Sequence, residues 1–159
     1  MRTLLVCATL AIVAGFTGVP IAVAADADPI VGTWQMVPAK SSFTAGPAIK
    51  SQTRTYSQSG NQISLEMKTV TADGKEATSH TTYELNGKAF PVTGTKDYDS
   101  LSAKKVNNNT AEFTLMKGGK AVGTTTRTVS KDGKTMTSKA NVTTASGEKS
   151  EYVLVFEKQ

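Results

Sequence analysis

The sequence predicts an all-β domain, an antiparallel up-and-down β-barrel of about ten strands. Three observations lead there. Glycines at 60, 74 and 87, and again at 119, 133 and 147, recur every thirteen or fourteen residues. They sit in tripeptides such as Asp73-Gly74-Lys75, Asn86-Gly87-Lys88 and Asp132-Gly133-Lys134, and Asp-Gly and Asn-Gly accept the positive φ of a tight hairpin turn. Between the turns, segments such as Ile63–Lys68 and Ala111–Leu115 alternate apolar and polar side chains, the period of a half-buried strand. Finally, nothing from Lys50 onward keeps a helical period, and threonine is abundant, a β-branched residue suited to a pleated surface.

The chain opens differently. Met1-Arg2 carries one positive charge, Leu4 to Phe16 is apolar, Gly18 and Pro20 break the run, and Ala22-Val23-Ala24 has the small-x-small pattern that signal peptidase reads. Residues 1–24 are therefore expected to be a signal peptide, with a second acceptable site after Ala27, and residues 25–159 to be one domain. The broken apolar run argues against a retained membrane anchor, so no stable membrane insertion is expected after cleavage, and the location is periplasmic or secreted. The one cysteine, Cys7, falls in the signal. A mature chain without cysteine has no disulfide, thiol nucleophile or thiolate metal site and depends on its core.

The mature domain begins with a strand around Ile30 to Val37 that holds the only tryptophan, Trp34. A large rigid ring is a natural anchor for a small core, and Gly32 beside it permits close approach. Pro38 to Pro47 follows as a polar connection with room for a short helical turn but not for two helices. Strands are then expected from Ser51, at each glycine beat, over Phe90 to Val92 and from Ser100 to Val106. Asn107-Asn108-Asn109 supplies the turn between the two glycine trios, since asparagine tolerates the left-handed region. Tyr152 to Phe156 is apolar on both parities, the mark of a strand covered on both faces. A sandwich would suit these strands too. Nearest-neighbour hairpins favour the barrel, which leaves no exposed edges.

Composition narrows the function. The formal charge is +5, but the lysines are scattered and aromatics are only 6% of the chain. A nucleic-acid surface needs a clustered basic stripe, so no nucleic-acid partner is expected. His80 is the one histidine, and its parity places it with Thr78, Thr82 and Glu84 on the polar face of its strand. One histidine without cysteine makes no typical zinc site. No nucleophile elbow, phosphate loop or dinucleotide fingerprint occurs. The domain is thus read as no enzyme, with no catalytic residue, no metal and no cofactor. Arginine is the informative residue: after the signal there are fifteen lysines but only Arg54 and Arg127. A guanidinium holds a carboxylate in a fixed fork and stays charged when buried. The competing reading puts both arginines at the surface or the barrel end, one of them stacked on Trp34. By parity Arg54 shares a face with Tyr56, and Arg127 with Val129 and Ala121.

Several of these residues carry a resemblance. Gly32-Thr33-Trp34 in the first strand resembles the Gly-x-Trp of the calycins, the lipocalin and fatty-acid-binding-protein group, where the tryptophan plugs one end of the barrel. Thr125 to Lys134, an arginine-bearing strand entering an Asp-Gly-Lys turn, is similar to the closing hairpin of fatty-acid-binding proteins. Val155-Phe156-Glu157-Lys158 is similar to their last strand. The match covers both ends of the mature domain and resembles a bacterial-type exported lipocalin-like domain. It departs from the family where an Arg-x-Tyr would meet a ligand carboxylate, since Leu154 and Phe156 stand there. The space after the first strand is also too short for the lid helices, and Thr95-Lys96-Asp97-Tyr98 only loosely matches the lipocalin Thr-Asp-Tyr. The resemblance implies a carrier that buries a small apolar or amphipathic ligand, with a fatty acid as one such class. Arg127, on the strand that matches the arginine-bearing one of that family, would take the head group with Arg54 in reserve, while strand parity alone puts Tyr56, Tyr83, Tyr152, Leu154 and Phe156 on the cavity wall. The alternative is a ligand-free periplasmic interaction or inhibitor domain, with a filled barrel and a protein partner. Interior volume separates the two.

Overall fold

The structure, a computed structural model, describes residues 27–46 and 48–159; the expected signal segment 1–24 lies outside them. Eleven strands follow in order: β1 (Gly32–Met36), β2 (Ser42–Ala45), β3 (Ile49–Ser59), β4 (Gln62–Thr71), β5 (Glu76–Tyr83), β6 (Asn86–Thr93), β7 (Ser100–Asn107), β8 (Thr110–Lys117), β9 (Lys120–Val129), β10 (Thr135–Thr143) and β11 (Lys149–Lys158). Each of β3 to β11 pairs antiparallel with its chain neighbour. The circuit closes through β1, which pairs with β3 on one side and β11 on the other. The result is a closed, ten-strand, up-and-down barrel, the architecture that the calycin resemblance implies.

β2 was not visible in the sequence. A 3-10 turn at Pro38–Lys40 interrupts the first strand, and β2 resumes the line along β11, with Phe43 opposite Tyr152. The break does not leave Val155 of β11 unpaired. The Val37 amide donates to the Val155 carbonyl, and the Val155 amide donates to Ser41 Oγ. Local side-chain bonding of this kind replaces a ladder bond where proline forbids one.

Most glycine beats fall in the turns as expected, but Gly87 does not. It lies inside β6 with φ of 78°, and the chain reverses earlier, at Glu84 and Leu85. The register slips between Asn86 and Ala89, so the glycine makes an irregular strand start. The asparagine turn also differs. No non-glycine residue among those described has positive φ, and Asn107 Oδ1 instead accepts from the Asn109 amide.

Side chains alternate across the wall. Thr55, Ser57, Thr78, His80, Lys104, Glu112, Lys139 and Asn141 are exposed, while Trp34, Met36, Tyr56, Ile63, Tyr83, Val129, Met136, Leu154 and Phe156 are buried. One parity reading fails. A slip between Leu115 and Met116 in the β8–β9 ladder packs Val122, rather than the exposed Ala121, toward the core that Arg127 and Val129 face.

Candidate ligand-binding site

Trp34 closes one end. It is fully buried, and its Nε1 donates to the Ile30 carbonyl at 2.6 Å. The cation over its ring is Lys158, 5.2 Å from the centroid, not an arginine. Gly32 has φ of 130°, and a Cβ there would stand 2.7 Å from the Lys158 side chain. Glycine is thus needed both for its backbone angle and for the lysine's path. The segment Asp28-Pro29-Ile30 folds beneath this end, with the Asp28 amide donating to Gln58 Oε1 at 2.7 Å.

The other end is crossed by the β6–β7 connection. Asp97 Oδ1 accepts from the Ala145 amide at 3.0 Å, and Asp99 Oδ2 from the Gly118 amide at 2.9 Å, so the loop is tied to two distant turns. It carries Tyr98 over the interior, where burial pushes the phenol up to about 12.

Between the ends lies an interior cleft of about 70 Å³. Both arginines reach it. Arg54 is 8% exposed, with Nε donating to Gln52 Oε1 at 2.7 Å, Nη1 to Ser138 Oγ at 3.3 Å, and its guanidinium 4.5 Å from the Phe156 ring centre. Among the described residues no carboxylate pairs with it. Arg127, 4% exposed, donates from Nη1 to the Tyr83 hydroxyl at 2.8 Å and lies over the Tyr56 and Phe113 rings. Its Nη2 is 3.6 Å from Asp28 Oδ1, and its buried Nε has no partner among the described residues. Buried donors are nearly always satisfied, so an orphan on a buried cation calls for an explanation. Burial also raises the Tyr83 and Tyr152 phenols, with the Arg127 charge opposing the rise at Tyr83 and the Arg54 charge at Tyr152. The phenols therefore stay neutral and able to donate at physiological pH.

Of the residues expected to line a site, Arg54, Arg127, Tyr56, Tyr83 and Tyr152 are on the cleft wall. Leu154 and Phe156 are fully buried in the packed core and do not line the cleft. Neither arginine lies exposed at the surface. Sequence reasoning missed Tyr98, Phe113, Leu65, Met67 and Thr125 on the wall, and Asp28 behind it. Alternation in Ala111–Leu115 could have placed Phe113 inward. Tyr98 and Asp28 gave no comparable signal. A second, larger hollow of about 520 Å³ lies at the tryptophan end, lined in part by Asp28, Pro29, Ile63, Leu85 and Lys105.

Fold and site together define a closed β-barrel with a small, aromatic, cationic interior. No protein-family model matches the chain, and no curated protein matches it. Among solved structures, the chain is similar to a redesigned β-barrel, mFAP1, bound to DFHBI. The TM-score is 0.45 and the identity 15%, over 82% of this chain and 95% of that one. A likeness of that order carries no argument about what this barrel holds.

Proposed function

We propose that this barrel is an exported binding protein for a small anionic amphiphile, without catalytic chemistry of its own. The observation behind this reading is the interior charge: two buried guanidinium groups, Arg54 and Arg127, line a cleft ringed by phenols, and among the described residues the one carboxylate paired with either is Asp28, 3.6 Å from Arg127. A buried cation without a partner is costly. A carboxylate from outside would offset it and take up open donors on the arginines, in the charge-assisted geometry guanidinium favours. The apolar walls of Leu65, Met67, Leu101, Phe113 and Leu115 keep the guanidinium groups out of bulk water, so that a charge-assisted bond to a carboxylate is screened less. Export rests on the signal pattern of residues 1–24. His80, exposed on the outer wall 3.8 Å from Glu66, is left with no catalytic part.

The interior volume favours a second reading, a filled barrel acting as an interaction domain. Drug-sized ligands occupy roughly 300–1,000 Å³, and a cleft of about 70 Å³ takes a head group and little more. Calorimetric titration of the mature protein with octanoate separates the two. The carrier reading expects saturable binding, weakened about tenfold or more in Arg127→Ala, one decade per 1.4 kcal/mol. Arg127→Lys would recover part of it, because lysine lacks the planar fork. No saturable binding by the native protein would leave the filled-barrel reading. The intact mass of the exported protein tests the other half: it should lack residues 1–24, and a full-length mass in the membrane fraction would contradict export.

A further inference from the structure

We infer that Asp28 is a built-in stand-in for the ligand's carboxylate. It balances Arg127 while the barrel is empty, and an anionic ligand arriving through the hollow at the tryptophan end displaces it. This rests on the proposed anion-binding reading and adds the route, the competitor and the place of the ligand's body.

The geometry of Arg127 carries the inference. A guanidinium has five donors, and this one, 4% exposed, makes one hydrogen bond among the described residues, to Tyr83. Its buried Nε is unpartnered. Among the described residues, the one carboxylate paired with it stops at 3.6 Å, whereas charge-assisted bonds close to roughly 2.7–2.9 Å when they are free to form. Asp28 is not free, because its own turn positions it. Asp28 Oδ1 accepts from the Ile30 amide at 3.0 Å, the Asp28 carbonyl accepts from the Val31 amide at 2.9 Å, and its amide is tied to Gln58. Asp28 therefore supplies charge without using the arginine's remaining donors, and an untethered carboxylate would fit them better.

The two hollows meet at this pair. Arg127 lines the interior cleft, and Asp28 lines the outer one. The interior space of about 70 Å³ is well below the roughly 300–1,000 Å³ of sites that enclose a whole small molecule, so it suits a carboxylate and little of a chain. The outer hollow of about 520 Å³ lies within the range of small-molecule sites, with Pro29, Ile63 and Leu85 as apolar wall. A carboxylate on Arg127 would thus leave its apolar body pointing outward past the site Asp28 vacates. Lys105 lines the same hollow, so the displaced aspartate would remain near a positive charge.

A protein that must first break an internal contact binds with its intrinsic affinity multiplied by the fraction of time that contact is open. Asp28→Asn keeps the acceptor for the Ile30 amide and removes the competing charge. Octanoate is expected to bind Asp28→Asn about tenfold tighter than the native protein, while 1-octanol, of equal length and uncharged, gains nothing. The same variant is expected to melt at lower temperature, because Arg127 loses its counter-charge. In the native protein, octanoate should speed hydrogen exchange at the Ile30 and Val31 amides as their segment is released. Equal or weaker octanoate binding by Asp28→Asn, with Arg127→Ala still impaired, would overturn the inference and leave the anion-binding reading standing. An equal gain for octanol, or slower exchange at Ile30 and Val31, would overturn it too. If octanoate binds neither protein, the anion-binding reading falls and takes this inference with it.

Discussion

Two walls of this barrel are held together very differently. Around Trp34, β10 and β11 stay in register without a break from Thr135↔Glu157 to Thr143↔Lys149, and β1 is laddered on both edges. Across the barrel, β5 and β6 share two registered pairs, His80↔Thr93 and Thr81↔Val92, with two further ties, from Thr81 Oγ1 to the Pro91 carbonyl and from Thr93 Oγ1 to the His80 carbonyl. From Tyr83 to Pro91 the two strands part, and the outer hollow lies at that end, with Glu84, Leu85 and Asn86 on its rim. Closure of the circuit does not make it uniformly stiff. Local opening follows the density of packing and backbone bonding, so the β5–β6 seam is where this barrel should open first, next to the site.

The strongest test of the comparison is Trp34→Ala. Removing a fully buried aromatic from a core costs about 3–5 kcal/mol, and here the ring also anchors Ile30 through its Nε1 and carries Lys158. A urea melt should show that loss. A change below about 1 kcal/mol would mean that the laddered wall stands without its plug.

A smaller, localised effect is expected at the loose wall. Gly94 opens the strap that carries Tyr98, with φ of 81°, and a Cβ there would lie 1.9 Å from the Thr78 carbonyl oxygen on β5. Gly94→Ala should cost on the order of 1–3 kcal/mol, because alanine suits neither the angle nor the space. Hydrogen exchange should quicken in β5, β6 and the strap while β10 and β11 stay protected. Uniform quickening would show that the two walls open together.

The contrast also explains what could be read from the sequence. Turn chemistry and alternation are local, so ladders closed by Asp132-Gly133 or Ser59-Gly60 were legible. Gly87 misled because an Asn-Gly pair signals a turn without saying which strands flank it. The break at Pro38 hid β2, whose partner β11 lies more than a hundred residues away. Scarcity marked Arg54 and Arg127, and parity correctly turned Tyr56 and Tyr83 inward. Leu154 and Phe156 share that inward parity yet sit in the core, because parity gives a direction and not a depth. Asp28 and Tyr98 reach the site from irregular segments through contacts distant in sequence, and neither residue has a period to betray it.

The smallest effect concerns the strap in acid. The Gly118 amide, and then the Ser100 hydroxyl, hold the exposed Asp99 carboxylate below the ordinary range. A carboxylate lowered in the folded state stabilises that state above its unfolded pKa, about 3.9. The contribution is lost as pH falls through the lower folded value. The strap should therefore stay latched at neutral pH and loosen below about pH 4. Following the Gly118 amide by NMR from pH 6 to 2 should show a titration with its midpoint below that of an ordinary aspartate. Asp99→Asn should abolish the titration while leaving the β10–β11 amides unchanged. A midpoint at or above the ordinary value would mean that the Gly118 contact does not favour the ionised carboxylate. The strap would then be held by Asp97 and Tyr98 packing alone, and its release in acid would owe nothing to Asp99.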